Sequence, residues 1–396
     1  MQTCDVLIVG GGPAGSSCAW GLRGSGLRGS GLNVLILDKQ TFPRDKVCGG
    51  WITPQIITEL QLDAADYARG RVFQPFCGFR TSRMGDPEIE TNYGRPVSYG
   101  IRRFEFDDYL LQRCGARVLQ GVAFESMERR GGNWLVNGEI SARLVVGAGG
   151  HFCPVARQMG AKMASEEIVV AQEAEFAMDA RQQAACSIKP DIPELYFCAD
   201  MRGYGWCFRK ENVLNVGLGR LDRSSLSGHV AEFLAFLKRT GKVAFDLSAS
   251  MLGHAYLIYS KTTRKLVDEG VMLIGDSAGL AYSQSGEGIR PAIESGLLAA
   301  QVIAQAAGDY RREKLEPYTQ LLRSRYGHTR GDWATAVGRR LSPAMVAGIA
   351  RRLLRLPWFA RNVVMERWFL HAADAPLLVE QRGGAVPIPE RRVSSF

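Results

Sequence analysis

The sequence predicts an α/β fold in which a parallel sheet flanked by helices is interleaved with a mostly antiparallel β-sheet and followed by C-terminal helices. Three observations carry that expectation: a strand, glycine turn, helix and second strand at the start of the chain, a further buried strand with its own glycine-rich turn beyond residue 270, and a series of alternating segments between them. The chain has 396 residues and 43.5 kDa, enough for two domains sharing a long interface. With 46% hydrophobic and 22% charged residues and 45 glycines it is globular in composition, which excludes disordered and fibrous classes.

The first strand is the apolar run CDVLIV at 4–9, which enters VGGGPAG and then a helical pattern over 14–22. A second apolar run, 33–37, ends at Asp38 and completes a β-α-β unit. Gly10, Gly12 and Gly15 form G-x-G-x-x-G between strand and helix, and this context gives the triplet its weight. The first glycine permits the turn, the second lets backbone approach a pyrophosphate, the third allows close packing, and the helix N-terminus offers N–H donors to phosphate. Pro13 and Ala14 complete that turn. Asp38 follows Gly15 by 23 residues and is placed to accept both ribose hydroxyls of an adenosine, which argues against a 2′-phosphate there. A solvated acid at a strand end is the plainer alternative. The spacing is lengthened by a tandem repeat, LRGSG at 22–26 and again at 27–31, which is expected to form an exposed protrusion.

Downstream, 42–54 is rich in turn residues, 71–99 holds short β-like segments, and 106–114 reads as a helix. RLVV at 143–146 is a strand feeding GAGG at 147–150, with Gly147 and Ala148 at its end. ELYFCAD, GYGWCF and VLNVGLG within 168–219 suggest the antiparallel sheet. A buried strand over 271–274 then leads into IGDSAG and SGEGI, before a helix from about 288 to 307. Two nucleotide-contacting turns this far apart select among dinucleotides, because Asp276, after Gly275, can accept from the hydroxyls of a ribityl chain, which a flavin has and a nicotinamide lacks. The helix after Gly286, Gly288 and Ile289 would point its positive end at the pyrimidine edge of an isoalloxazine. The expected domain is therefore a Rossmann-type FAD-binding domain made from 1–70, 99–165 and 263–308, interleaved with a substrate domain from 71–98 and 166–262 and followed by a helical region, 309–396.

These motifs resemble the geranylgeranyl reductase family of FAD-dependent oxidoreductases, within the p-hydroxybenzoate hydroxylase-like superfamily and more distantly akin to flavin-dependent halogenases. VGGGPAG, FPRDKVCGG at 42–50, Arg103 before Phe106 and Asp107, GAGG, YGWCF at 204–208, and GDSAG with GEG carry the likeness over most of the chain. The resemblance implies that Arg103 contacts the phosphate region of FAD, with Lys39 and Arg44 close by, and that Cys48 and Gly49 lie beside the isoalloxazine. Cys48 is the candidate catalytic residue, as a local proton donor, against the blander reading of a packed thiol.

Tyr204, Trp206 and Phe208 alternate, so on a strand they face one way and can wall an apolar substrate site, although such stripes often belong to ordinary cores. The family pattern Tyr-x-Trp-x-Phe-Pro is broken here by Arg209, which weakens transfer of a polyprenyl substrate. Lys39 and Lys46 do not match the catalytic lysine of the halogenases.

The leading expectation is reduction of a carbon–carbon double bond in an isoprenoid or similarly apolar molecule by hydride from reduced flavin. The alternatives are a monooxygenase that hydroxylates or epoxidises through a flavin C4a-hydroperoxide, and a non-catalytic flavin-binding protein. Neither GAG at 147–149 nor GLG at 217–219 completes a second fingerprint, so an NAD(P)H or ferredoxin-like electron donor would visit only transiently.

The net charge of +9 would attract polyanions, but no nucleic-acid-binding motif accompanies it. Arginines cluster late, among Leu353, Leu354, Trp358, Phe359, Trp368 and Phe369, either as a solvated helix face or as a surface for lipid. No run is long and apolar enough for a membrane span, so a cytoplasmic protein with at most peripheral membrane contact is expected. Nine scattered cysteines suggest neither a disulfide framework nor a metal site.

Overall fold

The computed structural model describes residues 1–23, 31–161, 166, 168–221, 225–247, 249–259, 264–327 and 343–377. Its largest sheet runs in the order Val267–Asp268, Val271–Leu273, Ile140–Gly147, Gln2–Val9, Val34–Asp38, Arg117–Gln120. All these neighbours are parallel except the first pair. Val6 stands opposite Leu144 on one side and Val34 on the other. Val6, Leu7 and Ile8 are completely buried, as continuous apolar strands are when both sheet faces are covered.

One cover is the helix Pro13–Arg23, which lies against the long helix Ile289–Gln305. The two backbones approach so closely that a Cβ on Gly296 would come within 2.4 Å of the Ala14 carbonyl oxygen. Sequence patterning places this long helix at 288–307, within two residues of its observed ends. Arg103–Arg113 likewise begins three residues before the predicted start at 106.

The second sheet has seven strands, in the order Leu252–Leu257, Ile168–Ala177, Val213–Arg220, Gly203–Lys210, Glu194–Phe197, Gly78–Arg83, Ile89–Asn92. It is antiparallel throughout except where Glu194–Phe197 joins Gly78–Arg83 in parallel, a long-range pairing that alternation alone could not reveal. The helix Leu226–Arg239 packs Phe233 and Leu237 onto one face of this sheet. A small antiparallel sheet of Trp51–Ile52, Ser98–Ile101 and Phe73–Phe76 bridges the two large ones.

The C-terminal helices divide between two cores. Leu315, Tyr318 and Leu322, in Arg312–Leu315 and Pro317–Tyr326, join the parallel-sheet core. Val364, Met365 and Phe369 join the aromatic cluster on the seven-stranded sheet instead. They lie in Ala360–Phe369, a helix of π-type hydrogen bonding whose end is marked by the Leu370 N–H donating to the Met365 carbonyl at 2.8 Å.

A buried ionic cluster ties the long helix to its surroundings. Glu294 accepts from Arg290 at 2.7 Å, Arg325 at 2.6 Å and the Tyr326 hydroxyl at 2.6 Å, with Glu59 3.5 Å from Arg290. The central part of the LRGSG repeat, 24–30, and the prolines at 387 and 389 lie outside the described residues.

Candidate active site

A single cavity of about 910 Å³ runs from the glycine turn after the first strand to the inner face of the seven-stranded sheet. That is the upper end of the roughly 300–1,000 Å³ usual for small-molecule sites.

At one end, Gly10, Gly12, Pro13 and Ala14 line the cavity opposite Ala148. Gly10 has φ +117°, and a Cβ on it would fall 2.4 Å from the Ala148 carbonyl oxygen, so only glycine is tolerated. Asp38 is buried at the cavity edge, where Oδ2 accepts from the Gly11 N–H at 2.6 Å and Oδ1 from the Gln40 N–H at 2.8 Å. The carboxylate is thereby fixed on the turn, and its remaining lone pairs are available to hydroxyls. Lys39 lines the same edge.

Arg44 and Arg103 converge on Asp107, which Arg44 meets at 2.9 Å and Arg103 grips through two bonds of 2.6 and 2.7 Å. Both arginines line the cavity. Arg44 Nη1 is buried without a hydrogen-bond partner, an unsatisfied donor of the kind that an anion would complete. A Cβ on Gly12 would stand 3.5 Å from Arg44 Nη2, so the absence of a side chain there keeps open a gap between backbone donors and guanidinium. A dinucleotide pyrophosphate fits that donor set.

Asp276 lines the cavity beside Gly286, Gly288 and Ile289, where Ile289–Gln305 presents its N-terminus. Three predicted residues lie behind the wall. Gly15, Gly147 and Gly275 do not border the cavity; their lack of a Cβ permits packing against Gly10, Leu273 and Ala14, at hypothetical separations of 1.9, 2.7 and 2.9 Å.

At the other end, Tyr204, Trp206 and Phe208 all line the cavity, together with Trp51 and Phe369. Trp51 stacks on Phe369 at 5.6 Å and meets Phe208 edge-on at 5.7 Å. Arg209 points away from this wall: its guanidinium bonds the Glu211 carbonyl at 3.1 Å and Gln183 at 3.3 Å. Its departure from the family pattern therefore leaves the aromatic surface intact.

The period of two continues to Lys210, which is completely buried. Lys210 Nζ bonds Glu175 at 2.6 Å, the Gly49 carbonyl at 2.8 Å and the Ile101 carbonyl at 2.9 Å. Asn215 donates to the Cys48 carbonyl at 3.3 Å and accepts from Trp206 Nε1 at 2.7 Å. The Cys48 N–H donates to Glu173. Three polar side chains of the sheet thus hold the Cys48–Gly49 backbone against the aromatic wall. Gly50 at φ +64° allows the turn that follows, since a Cβ would clash with the Ile101 carbonyl at 2.1 Å. The Cys48 side chain is half-buried, and the guanidinium of Arg103 reaches it.

Lys46 and His254 face each other at 3.2 Å across the cavity. Burial and then Lys46 press His254 down to about 3, so its imidazole is neutral; burial and then Arg103 lower Lys46 as well. Glu173, Glu175, Lys210, Asn215 and His254 escape a sequence reading. Their signal would have been the period-two registration of polar residues with the aromatic stripe.

Comparison with known proteins agrees with this architecture. A family model described as an NAD(P)-binding Rossmann-like domain matches residues 8–65. A menaquinone reductase of Mycobacterium tuberculosis is 31% identical over 82% of this chain and 81% of its own length. A digeranylgeranylglycerophospholipid reductase of Thermoplasma acidophilum is 28% identical over 82% of this chain and 85% of its own. The chain belongs to the geranylgeranyl reductase family of FAD-dependent oxidoreductases. The fold of the family is also that of a solved geranylgeranyl bacteriochlorophyll reductase-like protein of Thermoplasma acidophilum, with a TM-score of 0.75, 24% identity, and coverage of 95% of this chain and 97% of that one. The family model spans the glycine turn and Asp38, the segment that in Rossmann-type folds generally holds the adenosine half common to NAD and FAD.

Proposed function

We propose that this oxidoreductase reduces carbon–carbon double bonds of an isoprenoid or similarly apolar substrate, with FAD lying along the cavity and its adenosine half on the glycine turn. The observation that carries the reading is the continuity of one cavity from phosphate-type donors at one end to an aromatic wall at the other. A relative named for a digeranylgeranylglycerophospholipid supports an isoprenoid lipid as the substrate class.

Bound FAD would supply the hydride. The chain's own residues bind, orient and exclude water. Asp38 would hold the ribose, Arg44 and Arg103 the pyrophosphate, and Asp276 the ribityl hydroxyls. The N-terminus of Ile289–Gln305 would face the pyrimidine edge, and Tyr204, Trp206 and Phe208 would flank the alkene. Cys48 lies where the two ligands would meet. NAD(P)H or a ferredoxin-like protein would deliver electrons transiently, which suits a chain with a single dinucleotide fingerprint. The strand order supports assigning 1–70, 99–165 and 263–308 to the cofactor domain and 71–98 and 166–262 to the substrate domain.

A lipid would approach along the C-terminal helices. Ile349, Leu356 and Trp358 are exposed beside Arg351, Arg352, Arg355 and Arg361, a pattern suited to an anionic bilayer surface. Among the described residues no helix is long and apolar enough to cross a membrane. The chain leads directly from Trp358 into Ala360–Phe369, which contributes Phe369 to the cavity wall.

The test is anaerobic: the flavin-loaded protein is reduced with dithionite and mixed with polyprenyl lipid. Flavin reoxidation accompanied by a product two hydrogens heavier is the expected result. Oxidation that requires oxygen and places an oxygen atom in the product would transfer the protein to the monooxygenases.

A further inference from the structure

Adding two hydrogens to an alkene requires one hydride and one proton. The reduced cofactor accounts for the hydride; the proton must come from a group on the cavity wall that is protonated at neutral pH and recovers its proton from solvent.

The inner face of the seven-stranded sheet supplies one. Ala171, Glu173 and Glu175 share that face, with Glu173 opposite Gly217 and Glu175 opposite Asn215 on the next strand. Trp206 in turn pairs with Gly217. A Cβ on Gly217 would lie 2.4 Å from the Trp206 ring and 2.7 Å from the Glu173 Cβ, so the glycine is the space in which carboxyl and indole come together. Glu173 is 5% exposed and lines the cavity. One oxygen, Oε1, accepts the Cys48 N–H, which leaves Oε2 to carry a proton.

Resting on the reductase reading above, we propose that Glu173 is the proton donor of the reduction. As hydride reaches one alkene carbon, the π pair forms a C–H bond at the other using the proton of Glu173. The Oε–H bond breaks, a carboxylate remains, and solvent returns the proton before the next turnover.

The surroundings suit the role. Burial, opposed in part by Lys210, pushes the Glu173 carboxyl up to about 7, where a general acid is most effective. Glu175 differs: burial raises it, but Lys210, Asn215 and Arg102 together outweigh burial and hold it below the usual range, so it stays ionised. The other groups facing the site are Lys46 and the Cys48 thiol on the loop, His254 and Tyr256 on the edge strand, and Tyr204 on the stripe. His254 is neutral, and burial keeps both tyrosines protonated. Glu287, the other cavity carboxyl pushed up to about 7, belongs to the cofactor end, where it accepts the Arg290 N–H at 2.7 Å.

The test uses the full-length, flavin-loaded protein and Glu173→Gln, with Glu173→Asp as a conservative partner and melting temperature as a control for folding. In infrared pH-difference spectra of the native protein, carboxyl C=O bands of Glu173 and Glu287 should both titrate near 7, and in E173Q the Glu173 component should vanish while that of Glu287 stays. Anaerobic reoxidation by polyprenyl lipid should slow about 100-fold or more in E173Q, with partial recovery in E173D, while dithionite reduction is unchanged. The native rate should fall above pH 7 and the E173Q rate should be flat. If native protein reduces the alkene but E173Q keeps both the rate and the falling limb, Glu173 is not the donor and the reductase reading stands. If native protein transfers nothing to any alkene, the reductase reading itself fails and the donor role fails with it.

Discussion

Lys210→Met offers a direct measure of how the seven-stranded sheet holds the Cys48–Gly49 loop. Methionine keeps the apolar stem and deletes the ammonium, so Glu175 loses its 2.6 Å partner and the carbonyls of Gly49 and Ile101 lose their donor. Removing one partner of a buried ion pair costs about 3–5 kcal/mol. Glu175 keeps Arg102 at 3.3 Å and Asn215 at 3.2 Å, and its side chain is 19% exposed, which places the effect near the lower end, about 3 kcal/mol. For a unit of 150–250 residues that corresponds to a fall of about 6–12 °C in Tm at pH 7.5. The pH dependence has a definite sign. A carboxyl held below its unfolded value gives stability that is present above that value and lost as pH falls through the folded value; without Lys210 this contribution becomes a penalty for keeping Glu175 charged. The native–K210M gap should therefore narrow as pH drops toward 5. Differential scanning calorimetry of the flavin-loaded protein, with flavin fluorescence as a second probe, reads both effects. Adding Glu175→Gln to K210M should recover more than half of the loss, because no charge is then left buried. A K210M protein melting within 1–2 °C of native, or a double variant no better than the single, would refute the reasoning.

Two further predictions concern other parts of the molecule. Burial and then the neighbouring Glu294 push Glu59 up to about 9, so it is folded in its protonated form. A carboxyl raised in this way makes the native state lose stability as pH climbs from its unfolded value through about 9. Urea midpoints at pH 6 and 9 should diverge for native protein and converge for Glu59→Gln; parallel declines would show that Glu59 is already ionised. On the C-terminal surface, Trp358→Ser should weaken co-sedimentation with anionic phospholipid vesicles about tenfold, since burying a large apolar side chain is worth about 1.5–3 kcal/mol. High salt should weaken native binding too, through the arginines. Vesicle binding that ignores both changes would remove the lipid-facing role.

Much of the nucleotide half was legible because its constraints are local. A strand, a turn whose glycines cannot bear a Cβ, and a helix N-terminus are neighbours in sequence, so spacing alone carries the geometry of Gly10, Gly12 and Asp38. The same locality hides one distinction. Gly15, Gly147 and Gly275 sit in the same turns as the glycines that border the cavity, but a glycine needed for packing and a glycine needed for ligand approach look alike in a motif. Their separation requires knowing what a Cβ would strike, which for Gly147 is Leu273, a residue on a strand more than a hundred positions away.

The aromatic end of the cavity was legible only as a stripe. Alternation of Tyr204, Trp206 and Phe208 identified a face, and the structure puts that face in the cavity. What stands opposite depends on register between strands far apart in the chain, and a shift of one residue would have turned Glu173 and Lys210 to the other side of the sheet. In this chain the register is constrained from both sides. Gly217 makes room for Trp206 beside Glu173, and the clamp of Glu173, Asn215 and Lys210 on the Cys48–Gly49 backbone can form only when all three face inward. Those polar groups are satisfied by the backbone of the very loop, Cys48–Gly49, that lines the cavity. The burial that pushes the Glu173 carboxyl up to about 7 is therefore a consequence of the same packing that positions the loop, and loosening the clamp should alter both together.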